Sequence, residues 1–426
     1  MTTEAASQRL NYMDKKSRAI SSRASRTILA PSGSSVSGPG GVTTITIPGN
    51  QVATFMDWQN SYLRFTVKNN SADKKITLES AWALIGTLEI LADGQTVSAI
   101  QNYGAAVHQY LKSEVGYDWA FGVGKGLAGI EQEIDHGALG SRTLSIPLPL
   151  NSLWGCNKYI PLGGRSSLQV RITWQEAATA YVSETALEEA VVYGPIDFIA
   201  STIRLSSEAN ALVNANCGGR YELITTDTRC ATGLHNVASS TSMSTNCGFS
   251  FSSLNRVSFS FYPTYRGSPL VRSVGNLGCG GIKNVSLSIN GEEYPRKRVE
   301  VSATNVSESI AELCIAHRSL ADFNHNSQLN VESYYLPNPP GTSVDTPLEP
   351  DNITTGSFVG MLDTESMLPH SENLYSGLST LGSVVQLVGD TVVTAGAPEN
   401  QILIFADYTM AMTLDMNGTQ TWVVSI

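Results

Sequence analysis

A glycine-rich stretch, Gly124-Lys-Gly126-Leu-Ala-Gly129, has the G-x-G-x-x-G spacing that can hold a dinucleotide. That chemistry needs the glycines between a strand and a helix of a βαβ unit, so that the phosphates meet a helix N-terminus. The next clear element here is a proline-containing strand over 144–150, and no parallel-sheet pattern surrounds the glycines. The sequence therefore predicts a flexible loop and no nucleotide cofactor.

An acidic cluster follows, formed by Glu131, Glu133, Asp135 and His136. Such a cluster could bind a cation, or supply a general acid and base such as Glu131 and Asp135 to a glycan hydrolase. Carboxylates on alternate residues are more typical of a solvated strand edge, which is the interpretation we favour. The glycan hydrolase remains an alternative.

The remaining candidates for chemistry are a Cys and a His three residues apart, Cys314 and His317. They could share a metal on one helix face, but no second pair with zinc-like spacing accompanies them. We predict that Cys314 packs and that His317 lies at the boundary of the core. The sequence contains no H-E-x-x-H, G-x-S-x-G or P-loop motif. We therefore predict no catalytic, cofactor-binding or metal-binding residues, and a protein that is not an enzyme.

Charge is distributed unevenly along the chain. The net charge of −10 excludes a generally basic surface for nucleic acid. Residues 1–30 instead carry an excess of positive charge, with six basic side chains and two acidic ones, Glu4 and Asp14. This arm could contact an anionic partner, an internal membrane or a genome. A solvated leader is an equal alternative, and a targeting peptide is a lesser one. The candidate contact residues are Arg9, Lys15, Lys16, Arg18, Arg23 and Arg26.

Targeting and redox signals are weak. No apolar run is long enough to span a membrane, and no signal-peptide core is present. The six cysteines form no C-x-x-C motif and are too sparse for a disulfide scaffold. We expect them to be reduced, which is consistent with assembly inside a cell.

Two similar strand–turn–helix segments indicate an internal duplication. A strand runs into Asp93-Gly94 and a short helix follows at 105–114, while a second strand runs into Asn290-Gly291 and a helix follows at 307–318. Asp-Gly and Asn-Gly between alternating apolar residues are strong hairpin signals. The glycines lie 197 positions apart. This spacing suits two copies of one all-β domain.

The elements around these hairpins are short strands. Leu63, Phe65 and Val67 alternate with polar residues, and Val257 and Phe259 alternate with serines. Many short strands and one short helix per half indicate all-β sandwiches. We predict a basic arm over 1–30, a first sandwich over 31–210, an inter-domain linker and loop over 211–247, and a second sandwich over 248–426.

Several of these segments, in this order, resemble the double jelly-roll major capsid proteins of the adenovirus, polinton-like, virophage and large nucleocytoplasmic DNA virus lineage. They are Ile90-Leu-Ala-Asp-Gly-Gln95, Leu144-Ser-Ile-Pro-Leu-Pro-Leu-Asn-Ser-Leu-Trp154, Tyr159-Ile-Pro-Leu162, Leu168-Gln-Val-Arg-Ile172, Leu374-Tyr-Ser-Gly-Leu-Ser-Thr-Leu-Gly382 and Ile404-Phe-Ala-Asp-Tyr408. The resemblance covers roughly residues 40–426. It implies two consecutive eight-stranded antiparallel jelly rolls with short helices in loops.

The resemblance also implies a function. It predicts a structural protein of the virion, assembled inside the host cell, whose homotrimers form pseudo-hexameric capsomers that tile an icosahedral shell. Its partners would be neighbouring capsomers and penton or minor capsid proteins. The basic arm would then lie on the inner side. The alternative is a jelly-roll spike or lectin-like module that binds glycan through exposed aromatic residues such as Tyr334 and Tyr335, although we favour packing for both tyrosines.

Overall fold

The computed structural model describes 14 segments of the chain, and all structural statements below concern these segments. They are residues 20–137, 140–163, 167–183, 191–218, 220–236, 238–263, 274–275, 277–322, 325, 327–335, 356–365, 376–393, 399–415 and 422–425.

The first half of the chain is built from short strands. They are β1 (Ser22–Leu29), β2 (Val42–Ile47), β3 (Thr54–Asn69), β4 (Ile76–Leu78), β5 (Ile85–Ala92), β6 (Gln95–Gln101), β7 (Gln132–Ile134), β8 (Ser141–Ile146), β9 (Ile160–Pro161), β10 (Leu168–Trp174), β11 (Val182–Ser183), β12 (Val191–Tyr193) and β13 (Asp197–Leu205). The helices are α1 (Tyr103–Glu114), α2 (Tyr117–Trp119), α3 (Lys125–Ala128), α4 (Ala177–Ala180) and α5 (Ser207–Cys217), with a 3₁₀ turn at Ala81–Leu84 and a π-helical turn at Ala120–Gly124.

The second half contains fewer strands, two of them long. They are β14 (Arg220–Asn236), β15 (Ser242–Asn246), β16 (Leu254–Pro263), β17 (Ile282–Ile289), β18 (Glu292–Glu300), β19 (Gly360–Asp363), β20 (Val385–Thr391), β21 (Glu399–Asp415) and β22 (Trp422–Ser425). The helices are α6 (Ser307–Ala316) and α7 (Val331–Tyr334).

Each half forms two antiparallel four-stranded sheets with one shared connectivity. In roll 1, sheet 1a has the order β1-β13-β3-β8 and sheet 1b the order β2-β10-β5-β6. In roll 2, sheet 2a has the order β14-β21-β16-β19 and sheet 2b the order β15-β20-β17-β18. When the eight strands of each half are numbered along the chain, the first sheet of both rolls has the order first-eighth-third-sixth. The second sheet of both rolls has the order second-seventh-fourth-fifth. This is a jelly roll in each half, so the predicted double jelly roll is confirmed.

The remaining strands extend this frame. β9 and β12 lengthen sheet 1a against β3, and β22 pairs with β21. β11, β4 and β7 form a separate three-stranded sheet beside roll 1.

Both predicted hairpins are confirmed. Asp93-Gly94 joins β5 to β6 and Asn290-Gly291 joins β17 to β18, with all four residues at positive φ. Two consecutive residues with positive φ are what a type I′ turn requires, and the twist of that turn matches the twist of the flanking strands. A helix follows each hairpin, α1 and α6, also as predicted.

The cores follow the predicted alternation. Leu63, Phe65 and Val67 of β3 are fully buried, as are Val257 and Phe259 of β16. Aromatic rings pack at close range in both rolls: Phe65 lies 5.1 Å from Trp174, and Phe251 lies 4.0 Å from Tyr408, between ring centroids. One buried face per strand is what holds two facing sheets together.

The strand boundaries differ from the predicted domain limits in two places. Residues 22–29, assigned to the basic arm, form β1 and pair with β13 in roll 1. Residues 220–236, assigned to the linker, form β14 and pair with β21 along its full length in roll 2. The connection between the rolls is α5, whose first turn is capped by the Ser206 side chain.

Candidate functional site at the junction of the rolls

The two rolls meet along a junction built from β6 and α1 of roll 1 and from β14 and β16 of roll 2. Nine of the twelve residues of α1 are buried, so the helix is enclosed on most sides. Three groups of charged or polar side chains cross this junction.

The first group is centred on Arg256 of β16. Its Nε lies 2.7 Å from Oδ2 of Asp407 in β21, and its Nη1 lies 3.1 Å from Oε1 of Glu114 at the end of α1. The Thr228 hydroxyl donates to the other carboxylate oxygen of Asp407 at 2.6 Å. The guanidinium therefore joins one carboxylate from each roll.

His317 completes this group from the residue after α6. Its Nδ1 lies 2.6 Å from Oε1 of Glu114, and its side chain is almost fully buried. Burial opposes ionisation of Glu114, but the hydrogen bond from His317 and the charge of Arg256 outweigh it, and the pKa of Glu114 is lowered. Burial likewise opposes the charge of Arg256, while Asp407 and Glu114 raise its pKa. The charged forms of Glu114 and Arg256 thus stabilise each other.

The second group surrounds Glu79, which is partly buried in roll 1. Its Oε2 accepts a 2.6 Å hydrogen bond from the backbone N–H of Gly275 in roll 2. Burial raises the pKa of Glu79 to about 7, although Gly275 and Lys112 act against this shift. Lys112 and Glu131 line the same small cavity, and burial lowers the pKa of Lys112.

His108 lies at the wall of that cavity. Its Nδ1 is 2.7 Å from the carbonyl oxygen of Gly104, and its Nε2 is 3.3 Å from the Ser80 hydroxyl. Burial lowers the pKa of His108 to about 4. The ring is therefore neutral at physiological pH and held by hydrogen bonds at both nitrogens, which suits a structural role.

The third group surrounds Asp227 of β14. Ser98 of β6 donates to Oδ1 at 2.6 Å, and Tyr408 donates to Oδ2 at 2.9 Å. Burial raises the pKa of Asp227 to about 7. Close by, the Asn102 amide points at Sγ of Cys230 at 3.6 Å, a second polar contact between the rolls. β6 and β14 are both edge strands, so these contacts satisfy two sheet edges against each other.

The glycine motif forms helix, which corrects the prediction of a flexible loop. Gly124 ends the π-helical turn and the next four residues form α3. A β-carbon at Gly124 would lie 2.8 Å from side-chain atoms of Ile130 and of Trp119, so close packing requires glycine here. Gly129 ends α3 with φ +63°. These glycines therefore serve packing and capping, and no strand precedes them as a dinucleotide site requires.

The acidic cluster does not converge. Glu133 forms an ion pair with Lys75 at 2.6 Å on the exposed edge of β7, and Asp135 accepts the backbone N–H of His136 at 2.9 Å. Glu131 faces the Glu79 cavity instead. Within the described segments, no group of three or more His, Cys, Asp or Glu side chains is arranged to hold a metal ion.

The other sequence candidates are structural. Cys314 packs against the core, as expected, while His317 is more buried than a boundary residue. Tyr334 is fully buried and its hydroxyl lies 2.9 Å from both the Ser309 hydroxyl and the Val359 carbonyl. Tyr335 is half-buried, so neither ring is displayed as a glycan platform.

Two of the six basic residues lie in the described segments. Arg23 and Arg26 are exposed on β1, where Arg23 is directly opposite Arg204 of β13. The other four, Arg9, Lys15, Lys16 and Arg18, lie outside the described residues. In the described part of the chain, no helix has both the length and the apolar composition needed to cross a membrane.

The junction residues were not singled out from the sequence. Arg256, Glu114 and Glu79 each lie beside an apolar residue, where a charged side chain needs a buried partner, whereas Asp227 lies between two threonines. That signal marks each of the first three residues as unusual, but it does not identify the partner, because every partner is far away in sequence.

The fold is shared with known capsid proteins. No protein-family model and no curated protein matches the sequence. A chain of the PBCV-1 virus capsid superposes with a TM-score of 0.66 and 11% identity, covering 97% of this chain and 100% of that one. The Faustovirus major capsid protein gives 0.59 and 7%, covering 96% and 93%. The mavirus major capsid protein gives 0.52 and 11%, covering 100% and 96%.

These identities are too low to carry residue-level roles, but each match spans nearly the whole of both chains. The double jelly-roll fold of these major capsid proteins is therefore the fold of this chain.

Proposed function

We propose that this protein is a major capsid protein of a virion, whose homotrimers form pseudo-hexameric capsomers that tile an icosahedral shell. The observation that carries the proposal is the pair of rolls with identical strand order, joined by a buried, ion-paired junction. Two equivalent rolls in one chain let three chains supply six similar sides, which is a geometric role and needs no catalysis. The fold shared with viral major capsid proteins supports it.

The junction supports a structural role over an enzymatic one. Its carboxylates accept hydrogen bonds from the opposite roll or are neutralised by Arg256, so they serve cohesion between the rolls. Glu131 and Asp135, the carboxylate pair weighed for glycan hydrolysis, are engaged in different places. We therefore propose that the chain is not an enzyme.

The oligomeric state and the assembly test this proposal. Light scattering after size-exclusion chromatography is expected to give three times 45.6 kDa, and electron microscopy is expected to show pseudo-hexagonal capsomers. Neighbouring capsomers and penton or minor capsid proteins would be the further partners in the shell. A stable monomer at micromolar concentration would contradict the proposal.

We further propose that the N-terminal arm contacts an internal anionic partner, a membrane or a genome, through Arg9, Lys15, Lys16, Arg18, Arg23 and Arg26. The charge of the arm supports this, because it opposes the net charge of the rest of the chain. Because β1 begins at Ser22, deleting residues 2–19 tests the arm without removing a strand. The deletion removes four of the six basic residues, so it is expected to leave trimers intact and to weaken binding to anionic vesicles or nucleic acid at low salt. Unchanged binding would contradict this part.

A further inference from the structure

We infer that the outer face of sheet 1a, around Arg64, is the docking surface for the α6 side of roll 2 in a second copy of this chain. The inference rests on the proposed trimer and identifies the surfaces that close it. We expect the contact between two chains to resemble the junction between the two rolls of one chain. Both rolls present corresponding surfaces, and only one of the two surfaces is covered within the chain.

The two surfaces share one strand-bridging ion pair. Arg64 of β3 is directly opposite Asp197 of β13, and Arg256 of β16 is directly opposite Asp407 of β21. β3 and β16 are the third strands of their rolls, and β13 and β21 are the eighth. In roll 1, Nη2 of Arg64 lies 2.6 Å from Oδ2 of Asp197. In roll 2, Nε of Arg256 lies 2.7 Å from Oδ2 of Asp407. Each arginine also lies opposite the end of its sixth strand, β8 or β19.

Roll 2 has this surface covered by roll 1. Arg256 receives Glu114 from α1, and its side chain is 23% exposed. Ser260, which lies on the same face of β16 four residues further on, is fully buried. Around Arg256, the outer face of sheet 2a is therefore covered by α1 of roll 1.

Roll 1 has the same surface uncovered. The Arg64 side chain is 41% exposed, and among the described residues its ion-pair partner is Asp197 alone. Lys68, four residues further on along the same face of β3, is exposed where Ser260 is buried. Every residue of the edge strand β1 before Leu29 is exposed as well. Sheet 1a thus lacks the layer that α1 supplies to sheet 2a.

The composition of this surface indicates a protein partner with acidic character. Ile28 is 61% exposed and shares the outer face with Tyr62, because both are directly opposite Ile199. Arg64 lies two residues from Tyr62 on the same face of β3, and Lys68 lies four residues beyond Arg64. A large exposed aliphatic side chain within a basic rim is typical of an interface with an acidic, partly apolar counterpart.

The α6 side of roll 2 has that character. α6 follows the fifth strand of roll 2 as α1 follows the fifth strand of roll 1, but only two of its ten residues are buried. It carries Glu308 and Glu312 and no basic residue. Glu308 pairs with Lys297, whereas no described Lys, Arg or His forms an ion pair with Glu312. Ile315, which is also exposed, supplies an apolar side chain beside these acids.

Glu312 is the acid we assign to Arg64 of the second copy. Burial, together with the nearby Glu308 and Asp363, raises its pKa, so the isolated chain holds this carboxyl in an unfavourable electrostatic setting. An arginine arriving from another subunit would relieve that setting, as Arg256 does for Glu114. The contact runs from roll 2 of one copy to roll 1 of the next, and three such contacts can close a ring.

Charge reversal tests the pairing. Arg64→Glu is expected to raise the trimer dissociation midpoint by tenfold or more, measured by mass photometry over a dilution series. The double variant Arg64→Glu with Glu312→Arg is expected to recover most of that loss. Trimers of Arg64→Glu as tight as wild type, or a double variant no tighter than the single one, would overturn the inference.

A matched control separates this from damage to the fold. Arg171 forms a comparable cross-strand ion pair with Glu89 on sheet 1b, with the arginine 49% exposed. Arg171→Glu is expected to leave the trimer midpoint unchanged, and circular dichroism melts should be alike for both single variants. A wild-type chain that is monomeric would instead contradict the proposed function itself. An intact trimer insensitive to Arg64→Glu would contradict only the docking surface.

Discussion

At the scale of single residues, the junction uses two kinds of acid. Glu114 and Asp407 each form an ion pair with Arg256. Glu79, which is partly buried, and Asp227, which is buried, have hydrogen bonds but no ion pair, and burial raises the pKa of each to about 7. A buried carboxylate without an ion-pair partner is unfavourable. Ionisation of Glu79 and Asp227 with rising pH is therefore expected to weaken the contact between the rolls.

The first prediction is a loss of stability with rising pH. The folded-state pKa of Asp227 is about 7, against a reference value of 3.8. Its contribution is complete below the reference pKa and is lost as pH rises through about 7, and Glu79 behaves alike. We expect the melting temperature to fall as the pH rises from 5 to 8. The contribution of Asp227 to the free energy of unfolding that is lost has an upper limit of ~4 kcal/mol. Asp227→Asn should flatten this slope.

The control for this titration is an exposed carboxyl with a shift of the opposite sign. The hydrogen bond from the backbone of His136 lowers the pKa of Asp135, so its contribution changes only at acidic pH. Asp135→Asn should therefore leave the slope between pH 5 and pH 8 as in wild type. If Asp227→Asn and Asp135→Asn had the same slope, Asp227 would not be the titrating group.

The second prediction concerns the central cation of the junction. Arg256→Ala leaves Glu114 and Asp407 without their shared partner in a mostly buried place. Removing one partner of such a pair costs about 3 kcal/mol or more. Arg171→Ala removes a partly exposed partner of Glu89 and should cost less than about 1 kcal/mol. Urea unfolding at pH 6 measures both, and equal losses would refute the central role of Arg256.

At the scale of elements, local patterns predicted much of what the structure shows. Asp93-Gly94 and Asn290-Gly291 identified both hairpins, because only a few residues adopt the backbone that these turns need. Alternation in β3 and β16 identified their buried faces. The glycine motif at 124–129 was misassigned, because Gly124 packs closely against Trp119 and Ile130, which no local pattern reveals.

Two strands fell outside the predicted sandwiches for a shared physical reason. β1 is exposed on both faces, so its sequence has no apolar alternation. β14 alternates at Tyr221 and Leu223, but Thr225 and Asp227 continue the same face with polar groups. Those two residues bond to Ser152 and to Ser98 of roll 1, so their environment is another sheet and not an apolar core. Period-2 hydrophobicity cannot detect such a strand.

The third prediction tests the turn chemistry. Gly291 has φ +87°, and nothing lies within 4 Å of the position its β-carbon would take. Gly291→Val therefore creates no clash but forces a β-branched residue into the left-handed region, at a cost of about 2 kcal/mol. Gly126 is equally open but has ordinary helical φ, so Gly126→Ala should stabilise by up to about 1 kcal/mol. A higher melting temperature for Gly291→Val than for Gly126→Ala would contradict this explanation of the turn.

At the scale of the whole molecule, the fold class and the duplication could be predicted, but the junction could not. The duplication is visible because each hairpin is a local signal and the two signals are similar. The junction joins residues such as Ser98 and Asp227 or Glu114 and Arg256, which lie more than a hundred positions apart. Their pairing depends on how the rolls are placed, and a single sequence carries no pattern for that placement.

The fourth prediction is that both rolls unfold together. The outer face of sheet 2a around Arg256 is covered by α1 of roll 1, so separating the rolls would expose partly buried charged groups. Calorimetry at pH 6 should then give one transition, with calorimetric and van't Hoff enthalpies in agreement. Glu114→Lys places a cation against Arg256 and should split the transition into two. Because Glu89 pairs with Arg171 within sheet 1b and takes no part in the Arg256 group, Glu89→Lys should keep a single transition. Two well-separated transitions in the wild-type chain would mean that the rolls are independent, and the junction could not then act as the rigid unit of a capsomer.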